Sequence, residues 1–74
     1  MKIKYDKSVD SAYIYLNNKT ETIKVHKTYT CDPLEIDGEI NLDFDSSGRL
    51  TGIEVLDASK KLQNDILNEA EIIG

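Results

Sequence analysis

The chain has 74 residues, 39% of them hydrophobic and 31% charged, with one Pro, four Gly and a net charge of −5. That composition excludes a disordered or linker-rich chain and describes a single domain near the size at which one core is marginal and oligomerisation supplies missing burial. No apolar run approaches the roughly 18 residues of a membrane span, and the start MKIKYDK leads into no signal-like segment, so a cytoplasmic location is expected.

The first alternation is Ile3 and Tyr5, a strand over residues 2–6, and a short polar link leads to a second over 11–17. There Ala12, Ile14 and Leu16 share one face while Tyr13 and Tyr15 share the other. After the turn Asn17-Asn18-Lys19, Ile23 and Val25 alternate with Thr22, Lys24, His26 and Thr28, a third strand over 21–29. Three strands in sequence predict a meander. Residues 30–38 contain Pro33 and read as an irregular excursion, and strands over 39–45 and 49–56 follow. From Asp57 the period changes: Ala58, Leu62, Ile66, Leu67 and Ala70 fall on one helical face over 58–70, with Asp57 or Ser59 as N-cap. Lys60 and Lys61 in its first turn and Glu69 and Glu71 in its last oppose the helix dipole, so burial of the Leu62, Ile66, Leu67 stripe, on its own sheet or on a neighbouring subunit, must hold it. The predicted fold is α+β, a five-stranded, mostly antiparallel meander sheet with one C-terminal amphipathic helix packed on one face.

The string DFDSSGRLTGIE, residues 43–54, has two incompatible readings. As a calcium loop it offers Asp43, Asp45 and Glu54 as metal ligands with Gly48 at the sharp turn. As a hairpin it places Asp43 opposite Leu50 or Thr51 and Glu54 opposite Glu39 or Ile40, about 10 to 13 Å apart along the strands. The hairpin is favoured, because Ile40, Leu42 and Phe44 alternate at period two and Gly52 falls where an exiting helix would begin. No metal or cofactor is therefore expected.

A single cysteine, Cys31, excludes an internal disulfide and a two-cysteine zinc or redox motif. A hydrolase using carboxylates and His26 would need titratable groups converging in a pocket, whereas these are distributed along turns and strands. Charge is uneven: residues 1–30 carry six Lys against three acids, and residues 31–74 carry eleven acids against three bases. The first half resembles a nucleic-acid face. Its lysines are instead expected to face Asp43 and Asp45 across the sheet, and the acidic whole repels phosphate. Tyr13, Tyr15 and Ile72 are apolar surface that one sheet and one helix leave uncovered, and together with Ile66 and Leu67 of the helical stripe they are the expected contacts of a homodimer or a small protein partner.

YDKSVDSAYIYL, residues 5–16, and GRLTGIEVLDASKKL, residues 48–62, together resemble a family of small prokaryotic proteins known as domain of unknown function 2283. Tyr5, Asp6, Asp10, Tyr13, Ile14 and Leu16 fit its first block; Gly48, Arg49, Leu50, Gly52, Ile53, Glu54, Asp57, Ala58 and Ser59 fit its second. The resemblance implies no activity and no catalytic residues. The residues lead us to expect a non-catalytic interaction or homo-oligomerisation domain, and the resemblance adds an antitoxin-like or otherwise partner-binding role, although the chain lacks the basic helix-turn-helix or ribbon that many antitoxins use on DNA.

Overall fold

A computed structural model of the protein describes residues 1–16 and 24–74. Strands β1 (Lys2–Asp6), β2 (Ser11–Tyr15) and β3 (Lys27–Thr30) are followed by the single turn α1 (Pro33–Ile36). Then come β4 (Ile40–Phe44), β5 (Leu50–Leu56), the short helices α2 (Ala58–Lys61) and α3 (Asn64–Glu69), and β6 (Glu71–Ile72). The sheet order is β3-β4-β5-β2-β1-β6, antiparallel except for the parallel β1–β6 pair.

Local chemistry sets each turn. After β1 the Asp6 carboxylate accepts from the Ser8 amide at 3.0 Å and its hydroxyl at 2.5 Å, and Asp10 takes φ +52° to start β2. Between β4 and β5, Asp45 Oδ1 accepts from the Ser47 and Arg49 amides at 2.9 and 3.0 Å, and Gly48 adopts φ +81°. That hairpin carries a bulge: Phe44 pairs with Leu50 but Asp43 with Gly52, so Thr51 is the extra residue, buried with its hydroxyl on the Asp43 carbonyl.

The register lines up Tyr5, Ala12, Val55 and Ile40 across four strands on one face. Ala58 of α2 and Leu67 of α3 close over that row, with Leu62 and Ala70 at its margin. This core lies toward one end of the sheet, here called the closed end, where β1 and β5 finish and β2 and β4 begin. At the opposite, open end β1, β3 and β5 begin.

The α+β class matches expectation, and four of the five predicted strands lie within two residues of their observed limits. Four features differ. The sheet is no simple meander, since β2 pairs with β5 and the path from β2 to β3 crosses two strands. β3 begins at Lys27, later than expected; Lys24 to His26 are not strand, and Glu21 to Ile23 lie outside the described residues. The excursion at 30–38 contains α1, started by Pro33 and by Asp32, which accepts from the Leu34 amide at 3.0 Å.

Fourth, the expected helix over 58–70 breaks at Leu62, whose backbone is extended (φ −107°, ψ 144°). The break returns the chain so that Leu67 reaches the core and Glu71–Ile72 adds a sixth strand beside β1. It also removes the expected dipole conflict. Lys60 and Lys61 now end α2, Asp65 opens α3, and Glu71 sits beside two lysines.

Candidate functional site

Strand alternation gives the sheet a polar face, opposite the helices, on which Lys4, Tyr13, Glu54, Asn41 and Thr30 form one cross-strand row. Lys2, Tyr15, Gly52, Asp43 and Thr28 form the next. Gly52 explains how the rows interlock: with no side chain there, the Tyr13 ring lies across the backbone of β5 and its hydroxyl donates to Asp43 Oδ2 on β4. Asp43 Oδ1 accepts from Thr28 at 2.6 Å. Burial and, after it, the Asp43 carboxylate push the Tyr13 hydroxyl above the ordinary tyrosine range. Asn41, buried, donates to Glu39 at 3.0 Å and Glu54 at 2.9 Å, and accepts from Thr30 at 2.6 Å.

This network has the ingredients of acid-base chemistry but is closed on itself. The tyrosine proton is held by Asp43, and among the described residues no buried side-chain polar atom lacks a partner. Its lysines behave differently from expectation: Lys2 and Lys4 approach Glu71 at 4.0 and 3.9 Å, and Lys4 lies 5.9 Å from the Tyr15 ring centroid. Two strands, β2 and β5, separate them from Asp43, and Asp45 is in the far turn, so neither acid is their partner.

The bulge corrects the hairpin register. Asp43 faces Gly52 and Glu54 faces Asn41, which leaves the two acids one diagonal apart on the polar face, about 7 to 8 Å between backbones. They are closer than the 10 to 13 Å expected. Each is nevertheless occupied by other partners, for Asp43 holds Tyr13 and Thr28, Glu54 holds Asn41, and Asp45 is spent on its turn. Among the described residues no group of three His, Cys, Asp or Glu is arranged to hold a metal ion. Cys31 is half-buried at the start of α1, and exposed His26 lies beyond the other end of β3, about 16 Å away along extended chain.

A second cluster was not visible as such in the sequence. Asp10 accepts from the Tyr5 hydroxyl at 2.7 Å, from the Ser59 amide at 3.0 Å and from the Ser59 hydroxyl at 2.6 Å, while its carbonyl accepts from the Ala58 amide at 2.9 Å. It therefore caps α2 from 49 positions away. Of the two expected caps, Asp57 does hold the N-cap position, but it is left-handed at φ +50° and makes no side-chain cap, and Ser59 lies within the helix. The Ser59 hydroxyl, then that of Tyr5, holds the Asp10 carboxyl below the usual carboxylate range, and Asp10 in turn raises Tyr5.

The helix side of the sheet is the other candidate surface. Past the core, Ile3, Ile14, Ile53, Leu42 and Tyr29 line up across five strands toward the open end. The first four are only half-buried and Tyr29 is 56% exposed. Beyond this row a cleft of about 390 Å³ is lined by Tyr29, Phe44, His26, Lys27 and the Asp45 turn. Of the residues expected to mediate contacts, Tyr13 and Tyr15 are half-buried on the polar face, their rings 4.7 Å apart. Leu67 lies in the core, while Ile66 on α3 and Ile72 on β6, opposite Tyr5, are exposed.

Among the described residues no helix is long and apolar enough to cross a membrane. No curated protein and no solved structure matches the chain. The family comparison does match, from the first residue of β1 to Ser59, the residue that Asp10 clamps. With residues 2–59 covered, the chain belongs to the family described as "Protein of unknown function (DUF2283)".

Proposed function

We propose that this chain is a non-catalytic protein-interaction domain that docks through the open-end half of its helix-side sheet face. One observation carries the reading: the row Ile3, Ile14, Ile53, Leu42, Tyr29 is patterned as core, yet of it only Ile53 packs against the cluster that α2 and α3 close over. Among the described residues no large side chain is fully buried, so the apolar face is laid down for more cover than the helices provide. The polar face supports no competing enzyme reading, because its tyrosine, carboxylates and amide satisfy one another. An antitoxin-like domain is one instance of such a module, and the family resemblance is its only support.

The test is a photo-crosslinking amino acid placed at position 29 in cells that carry the gene. Adducts with protein are expected at position 29 and not at position 8, in the exposed β1–β2 turn. Equal labelling at both positions, or none at 29, refutes the reading.

A further inference from the structure

Resting on that reading, we infer that the occupant of the open half is a second copy of this chain, related by a two-fold axis that reverses strand direction. The helix layer of each copy then completes the cover of the half-buried row of the other.

Three observations converge. The first is the extent of the apolar row. Ile3, Ile14, Ile53, Leu42 and Tyr29 cross five strands, about 19 Å at roughly 4.8 Å per strand, and at its far side Tyr29 is 56% and Leu50 37% exposed.

The second is shape. Helices over one half of a face leave a step beside them, and a two-fold that exchanges the ends seats step into step, so the contact is self-complementary as an isologous interface must be. Ile66 on α3, 37% exposed, is the helix residue available to the partner's Ile3–Leu42 row.

The third is charge. The strands sort the sequence's uneven charge into opposite ends. At the closed end lie Asp32, Glu35, Asp37 and Asp57 among others, opposed by Lys7, Lys60 and Lys61. At the open end lie Lys24, Lys27, Arg49 and the amino terminus, opposed by Asp43 and Asp45, while Lys2 already lies beside Glu71. Reversing one copy brings the acidic helix end over the basic strand end twice, whereas a pairing that keeps the ends together stacks acid on acid.

The test uses the purified full chain. Sedimentation at micromolar concentration should give twice the 8.4 kDa chain mass, and Tyr29→Glu, at an exposed position, should dissociate it without altering the circular dichroism spectrum. Lys24→Glu/Lys27→Glu and Glu35→Lys should each weaken pairing, the double variant about tenfold or more, since every exposed pair is broken twice by symmetry. Mixing the two variants should restore it. A monomer at 100 µM overturns the second copy as occupant; the position-29 adducts decide separately whether another protein docks there. A dimer indifferent to Tyr29→Glu, or variants that do not recover on mixing, overturns the proposed face and orientation.

Discussion

Replacing Gly52 by Ala tests whether the polar face is held by a tyrosine lying over a bare backbone. A Cβ at position 52 would sit 2.6 Å from Cε1 and Cζ of Tyr13, closer than carbon atoms approach, and the ring must move. Overpacking of this kind costs about 1 to 3 kcal/mol. Moving the ring also takes the hydroxyl from Asp43, a charge-assisted hydrogen bond that contributes about 1 kcal/mol or more at a half-buried site. Against these, the loss of glycine's freedom in the unfolded chain returns about 0.4 to 1 kcal/mol. The net is about 2 kcal/mol of destabilisation, or a fall in Tm of about 8 to 16 °C for a domain of this size. Thermal circular dichroism measures the stability and ultraviolet titration the tyrosines, of which Tyr13 should ionise above the normal range in the parent and closer to it in Gly52→Ala. A variant as stable as the parent, with its tyrosine titration unchanged, would refute the account of this face.

Asp10→Ala removes a remote helix cap and strains a left-handed position, and should cost about 1 to 2 kcal/mol in urea unfolding, with faster amide exchange at Ser59 to Lys61. Unchanged exchange there would show that α2 does not depend on Asp10. The pH profile follows from the same cluster. Because the folded Asp10 carboxyl lies below its unfolded value near 3.9, its stabilisation is complete above that value and is lost as pH falls through the folded one, and Asp10→Asn should flatten this acid limb. Tyr5 and Tyr13 are raised in the folded state, so their stabilisation is present below about pH 10 and is lost as pH rises through their folded values. An alkaline limb unchanged in a Tyr5→Phe/Tyr13→Phe variant would contradict this assignment. Millimolar calcium should leave the Gly48 and Gly52 amide resonances in place, since Asp45 is committed to its turn; saturable shifts at both would restore the calcium-loop reading.

Local order is legible in the sequence and long-range order is not. Period-two alternation places Ile40, Leu42 and Phe44 on a strand, and Gly48 with Asp45 marks its turn, because both signals act within a few residues. Nothing local announces that β2 pairs with β5, or that Asp10 caps a helix 49 positions later, and both emerge only in the fold. The helix break is instructive. Leu62, Leu67 and Ala70 satisfy a helical stripe equally as one helix or two, and neither Pro nor Gly marks the joint; the decision falls to extended Leu62 and to Lys61, whose ammonium reaches the Ile36 carbonyl at 2.5 Å. The bulge at Thr51 escapes for a similar reason, since one extra residue leaves the hydrophobic pattern of β5 intact while shifting every partner of Asp43. Composition anticipates a need for cover, but alternation alone assigns the row with most surface to offer to the interior.

The seam between Ala12 and Val55 joins two hairpin units made at different times on the ribosome. Until β5 has emerged from the exit tunnel, β1 and β2 can form only a lone hairpin, which is marginally stable in water. Asp10 then waits for Ser59, and the edge of β1 waits for Glu71 and Ile72. Synthesis must be nearly complete before the sheet can close, so a chain stalled after β4 presents two unjoined fragments with bare apolar sides to the chaperones and proteases around it.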